Sequence, residues 1–150
     1  MNTAIDSDTI VKEVTIRATA ERIFEALTNP QQRLKWWGAD GAYRGTHMES
    51  DLRPGGKWET RGIGRDGNPF SVAGEYREIV RPRMLVFTWL PSWAKNAAES
   101  LVRFDLDEKD GVTTVRLTHS GLGSEAAREH HKGWPQVLAW LRSYVEPSGS

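Results

Sequence analysis

Apolar and polar positions alternate over residues 9–17. Ile10, Val14 and Ile16 share one side with Lys12, while Val11, Glu13, Thr15 and Arg17 share the other. A period of two belongs to a β-strand. The period then changes. Thr19 offers a capping side chain, and Ile23, Phe24 and Leu27 fall on one helical stripe over 20–27. Asn29-Pro30 predicts a second short helix. Asparagine caps it, proline takes its first turn, and Gln32 stands where a capping-box partner would. That helix runs into Trp36-Trp37 and stops at Gly38.

Beyond Gly45 the pattern returns to strands, expected over 46–52, 57–61, 70–80, 84–90, 101–107 and 112–119. Turn chemistry separates them: Arg53-Pro54-Gly55-Gly56, Asp66-Gly67-Asn68, Arg81-Pro82-Arg83 and Asp110-Gly111. A loop over 91–99 carries Trp93. A last helix over 124–146 sets Trp134, Val137, Leu138, Leu141 and Val145 on one face, with Gly133 and Pro135 inside it marking a bend.

Strands joined by tight turns are antiparallel neighbours. A sheet with one apolar face needs a cover, and only the last helix is long enough to supply it. The expected fold is therefore α+β, a curved antiparallel sheet with two short helices and one long C-terminal helix. Residues 10–146 form its single domain, between a disordered tail at 1–9 and a short tail at 147–150. Alternation points Met48, Trp58, Tyr76, Phe87, Trp89, Phe104 and Leu117 inward, opposite Trp134, Leu138 and Leu141. Apolar stripes ordinarily mean a packed core. The mouth of a curved sheet is also where concave apolar sites form, and periodicity does not separate a filled interior from a hollow one.

Composition narrows the function. The chain has no cysteine, which removes disulfides and thiolate metal ligands and suits a cytoplasmic home. Twenty basic and twenty acidic residues cancel, so neither nucleic acid nor an anionic membrane is an expected partner. No run approaches the roughly eighteen apolar residues that span a bilayer. The N-terminal stretch, with Asp6 and Asp8, has no signal-peptide pattern. Seven tryptophans are many for 150 residues, and they imply a large apolar surface or pocket.

Several phrases carry a resemblance. They are Trp36-Trp37-Gly38, the run from Asp51 through Pro54-Gly55-Gly56-Lys57-Trp58, and Gly74-Glu75-Tyr76-Arg77-Glu78-Ile79-Val80-Arg81-Pro82. Leu85-Val86-Phe87-Thr88-Trp89, Leu117-Thr118-His119-Ser120-Gly121-Leu122 and Gly133-Trp134 complete the set. In this order, from about residue 10 to 145, the chain resembles the branch named for the activator of heat-shock-protein ATPase. That branch belongs to the SRPBCC (START-like) superfamily. The resemblance implies a helix-grip fold with a hydrophobic cavity between sheet and C-terminal helix. It implies little about activity, since the superfamily spans co-chaperone domains, lipid carriers, cyclases and resistance proteins. The chain departs from many members at Ala39-Asp40, where they continue with proline.

Chemistry is sparse. His119 ends the last strand with its side chain aimed inward, where an imidazole could carry a proton. Its ordinary role would be a satisfied hydrogen bond that orders the strand end. His130 and His131 point about 100° apart on a helix and cannot chelate together. His47, Glu49 and Asp51 share a polar strand face that reads as solvent-exposed. Ser120 lacks a nucleophile elbow, and the glycines over 62–67 sit between strands rather than at a helix start. No metal and no cofactor is expected. The leading expectation is binding of an apolar small molecule, lined by the inward set together with Trp37 and His119. Next comes a protein-interaction role on a chaperone ATPase, with Trp36, Trp37 and Trp93 as loop anchors. A cyclase- or hydrolase-like enzyme using His119 comes third.

Overall fold

The computed structural model describes residues 9–38, 44–64, 66–91, 100–121 and 134–146. Strand β1 (Ile10–Ile16) leads into helices α1 (Ala20–Thr28) and α2 (Pro30–Trp36). Six strands follow: β2 (Arg44–Ser50), β3 (Lys57–Ile63), β4 (Pro69–Val80), β5 (Met84–Pro91), β6 (Ser100–Lys109) and β7 (Val112–Ser120). Helix α3 (Trp134–Val145) closes the described chain. The sheet runs β1-β7-β6-β5-β4-β3-β2, antiparallel throughout. The expected meander is present, and β1 completes it beside β7. Because β1 and β2 stand at opposite edges, the two short helices that join them must span the sheet. That span carries the end of α2 onto β2 and over the concave face.

Local signals explain the element ends. The Thr19 hydroxyl accepts from the Arg22 N–H at 3.2 Å, and Asn29 Oδ1 accepts from the N–H groups of Gln31 and Gln32 at 2.9 and 3.2 Å. The expected capping box does not close. Asn29 also ends α1, so its own N–H goes to the Glu25 carbonyl at 2.9 Å, and Gln32 Oε1 is left buried without a partner among the described residues. Asp110 and Gly111 turn at φ 54° and 80°, the left-handed pair that a tight hairpin requires. A register shift between Tyr76 and Glu78 marks a bulge in β4, the device that bends a long strand over what it covers. Pro135 stands in the first turn of α3 as described, where a missing N–H is tolerated. The expected helix over 124–133, Gly133 included, lies outside the described residues, as do nearly all of both tails.

The turn between β4 and β5 is tied back to α1. The Arg81 guanidinium bonds the carboxylates of Glu21 and Glu25, the latter at 2.8 Å, and sits 5.1 Å over the Phe24 ring. These bonds to Arg81 hold both carboxyls below their ordinary value of 4.5. A lowered folded-state value gives stability that is present above the ordinary value and is lost as pH falls through the folded one. Arg81→Gln should therefore remove stability at neutral pH, and its effect should shrink as the pH falls below the ordinary carboxylate value through the lowered ones. Denaturation midpoints of the two proteins, followed from neutral pH into the acid range, check this.

Candidate functional site

All ten inward positions expected on sheet and helix are buried. Met48, Trp58, Tyr76, Phe87, Trp89, Phe104 and Leu117 line the concave face, with Trp134, Leu138 and Leu141 from α3 opposite. Except for Met48, they join one contiguous core. Trp37, half-buried at the end of α2, packs against it. The ring contacts run unbroken. Tyr76 meets Phe87 at 6.2 Å between centroids, Phe87 meets Phe104 at 6.1 Å, and Phe104 meets Trp134 at 6.4 Å. Trp58 touches Phe87 and Trp89 at 5.3 and 5.9 Å. Trp89 and Trp134 approach to 5.3 Å, and Trp37 lies 6.2 Å from the first and 5.8 Å from the second. Such pairs contribute about 0.5–1.5 kcal/mol each beyond burial.

Trp36 corrects one expectation. It is not a surface anchor: it is 4% exposed and spends its N–H on the Ala26 carbonyl at 2.9 Å. Trp37 keeps one partly open face, and Trp93 lies outside the described residues. His47 is exposed and faces Glu49 at 3.6 Å, as a solvated strand face should. His130 and His131 also fall outside the described residues.

His119 is fully buried at the centre of the cluster, between the rings of Trp89 and Trp134 at 5.8 Å each. Its hydrogen bonds fix its tautomer. The Trp134 indole N–H can only donate, and it donates to His119 Nδ1 at 3.0 Å. The proton of the neutral ring therefore sits on Nε2, which donates to Ser100 Oγ at 2.7 Å. Ser100 in turn donates to the Trp89 carbonyl at 3.3 Å. This chain runs the wrong way for a nucleophile and its base. To activate Ser100, Nε2 would have to take a proton, and its second proton on Nδ1 would then face the Trp134 N–H. The arrangement orients rings; it does not prime a hydroxyl.

Sequence reasoning missed a second set of buried polar groups, at the α2 end of the interior. Arg33 is 5% exposed; its guanidinium lies 4.0 Å from the Trp37 ring centroid and 5.5 Å from that of Trp58, and Nη1 reaches the Leu27 carbonyl at 3.4 Å. The spacing from Arg33 to Trp37, one helical turn, was the available signal. Below lie Thr60, buried, and the Tyr76 hydroxyl, bonded to Ser50 at 2.7 Å. Burial pushes the Tyr76 phenol up, while the Ser50 bond and the Arg33 charge pull it back. Thr60 Oγ1 and Trp58 Nε1 have no hydrogen-bond partner among the described residues. An unsatisfied buried hydroxyl costs about 1–3 kcal/mol. Thr60→Val, nearly isosteric, should stabilise the protein by about 1 kcal/mol, readable as a higher denaturation midpoint.

A groove of about 470 Å³ also opens between β1 and α3, lined by Lys12, Val14, Pro135, Leu138, Ala139 and Arg142 among others. It shares only Leu138 with the expected lining, and charged side chains stand among its walls.

The family model for Activator of Hsp90 ATPase homolog 1-like protein matches residues 17–146. The chain belongs to that family. Solved structures share the helix-grip fold of this Hsp90-activator-like chain. A Mycobacterium smegmatis protein superposes with TM-score 0.79 at 21% identity, covering 95% of this chain and 90% of its own. An Arthrobacter aurescens protein, solved by NMR, gives 0.80 at 17% identity, with 96% and 90% covered. An HSP90 activator from Plasmodium falciparum gives 0.67 at 23% identity, with 86% and 89% covered. At these identities the likeness is one of fold. No curated protein matches the chain. Among the described residues, no helix is long and apolar enough to cross a membrane.

Proposed function

We propose that this member of the Hsp90-activator-like family binds an apolar small molecule between the concave sheet face and α3, as a cytoplasmic carrier or receptor. One observation carries the reading: the interior holds buried polar atoms, Thr60 Oγ1 and Trp58 Nε1, that no described residue satisfies. A core selected only for packing gains nothing from such atoms, because filling their place with carbon is nearly free or stabilising. A site that must recognise a guest does need them, a few polar groups set in aromatic walls. Trp37 supplies a partly open ring at the edge of that wall. The lining would be Trp37, Met48, Trp58, Tyr76, Phe87, Trp89, Phe104, Leu117, His119, Trp134, Leu138 and Leu141. No cofactor or metal enters this reading.

A ligand screen followed by amide NMR tests it, using fatty acids, flavonoids and aromatic polyketides. Binding predicts shifts concentrated at Trp58, Trp89, His119 and Trp134. Silence across the panel would overturn the reading.

The family itself favours a second function, on a chaperone. Its name and the Plasmodium falciparum relative both refer to Hsp90 activation. Under that reading the chain raises the ATPase rate of purified Hsp90, and Trp37→Ala lowers the effect. An unchanged ATPase rate at saturating chain would remove it.

A further inference from the structure

The open edge of the sheet at β1 bears on partners, independently of what the interior holds. Strand β1 has β7 on one side and, among the described residues, no strand on the other. The groove of about 470 Å³ runs along that open side, walled by Lys12, Glu13 and Val14 of β1 and by Leu138, Ala139 and Arg142 of α3 among others. Three consecutive strand residues cannot all turn their side chains one way, because successive side chains leave on opposite faces. Glu13 sends its carboxylate to Arg116 at 3.2 Å, on the other face of the sheet. What Glu13 gives the groove is main chain.

That main chain is unspent. In an antiparallel pair alternate residues bond the neighbour, and those between point their N–H and C=O away from it. Arg17 identifies the outward set, since its N–H leaves the sheet for the Glu146 carboxylate, just past α3, at 2.9 Å. Counting back by twos gives Thr15, Glu13 and Val11. Their outward groups have no partner among the described residues. Such an edge is a template for another strand.

Charge narrows the choice of strand. Lys12 shares its face with Ile10 and Ile16, 8% and 0% exposed, and lies opposite Leu117, at 0%. Its ammonium is nevertheless exposed, with no ion pair or hydrogen bond among the described residues. The other charges on the groove are matched, Glu13 by Arg116 and Arg142 by Glu146, each at 3.2 Å. One positive charge is therefore left over beside an apolar wall of Val14, Leu138 and Ala139. A second copy of β1 is a poor occupant. The antiparallel registers centred on Lys12 or on Glu13 would set each against its own copy, and like charges directly opposite destabilise a pair.

We propose that the β1 edge, with α3 as the facing wall, binds an extended acidic segment of a partner protein by strand addition. The main chain of the segment pairs with Val11, Glu13 and Thr15. Lys12 and Val14 lie two apart on one face, so the segment carries an acidic side chain opposite Lys12 and an apolar one two positions away, against Leu138 and Ala139. Val11, 47% exposed on the other face, gains cover from the same strand.

Amide hydrogen exchange in the free protein tests the edge first. The N–H groups of Glu13 and Thr15 should exchange about tenfold faster, or more, than those of Lys12 and Val14. Equal protection of all four would mean a covered edge and would overturn the proposal. The binding probe is a capped seven-residue peptide with aspartate at its centre, valine two positions to either side and serine elsewhere, which fits in either direction. Its addition should slow the Glu13 and Thr15 amides. It should bind about fivefold more tightly than the same peptide with a central lysine. Lys12→Glu, at an exposed position, should reverse that order. N-methylation of the two serines that flank the aspartate should abolish binding, since their N–H groups would face β1. Failure of the aspartate peptide to bind would overturn the proposal. So would binding that survives N-methylation, or an order of affinities that ignores Lys12→Glu.

Discussion

Gly74→Ala should lower the melting temperature by about 10 °C, the equivalent of roughly 3 kcal/mol. A Cβ on this residue would come 1.8 Å from the Thr88 carbonyl oxygen and 2.7 Å from Trp58 Nε1. Neither obstacle can retreat. The carbonyl belongs to the backbone of β5, whose neighbours hold it on both sides. The indole is wedged between Phe87 and Trp89, at 5.3 and 5.9 Å. A methyl group therefore forces either the β4–β5 pairing or the aromatic wall to shift, and both are packed at interior density. Gly64→Ala is the matched control. Its Cβ would meet the Asp66 carboxylate at 3.2 Å and, at ordinary van der Waals distance, the Asn68 carbonyl oxygen at 3.5 Å, so its stability should stay within about 0.5 kcal/mol of wild type. Thermal melts of the two variants settle the comparison, and equal melting would contradict the β4–β5 packing.

Trp134→Ala should cost about 3–5 kcal/mol, the usual range for deleting a buried tryptophan. The side chain is 3% exposed and touches Trp37, Trp89, Phe104 and His119. Two losses combine here. Removing the ring opens a cavity where sheet and helix meet, and removing its N–H strands His119 Nδ1 as a buried acceptor. Trp134→Phe separates the two, because it keeps most of the volume and deletes the donor. It should cost about 1–3 kcal/mol. Imidazole nitrogen shifts provide the second readout. Wild-type His119 should show the tautomer with its proton on Nε2, and the phenylalanine variant should lose that fixed pattern. A wild-type ring protonated on Nδ1 would contradict the hydrogen-bond order described above.

Period-two alternation made the sheet legible before any coordinates. The turn residues at Asp110-Gly111 and Pro54-Gly55-Gly56 separate strands that do pair. Thr19 and Asn29 cap the helices expected of them. The inward set was legible for the same reason, since a residue's face follows from its parity along a strand. Sequence gave less warning of competition for one group. The Asn29 N–H is claimed by α1 before Gln32 can use it, and a local motif does not reveal which of two helices wins. Arg33 was harder still. A cation on a short helix reads as solvated, and only the three-dimensional packing of α2 onto the sheet buries it against the rings of Trp37 and Trp58. The role of His119 was open in the sequence because proton direction depends on Trp134, fifteen positions away across an interface.

The pairing of Ile10 with His119 has a consequence in time. Among the described residues, the first strand finds its one lateral neighbour roughly a hundred residues later, at the end of the β2–β7 meander. Hairpins from β2 to β7 can zip locally as each emerges, but β1, α1 and α2 must wait. During synthesis this early segment, with Ile16, Ile23, Phe24 and Trp36 destined for the core, stays without its cover until β7 leaves the ribosome. The interval exposes an apolar N-terminal segment to other nascent chains. A chain halted before residue 112 should accordingly aggregate, while one released after α3 should fold.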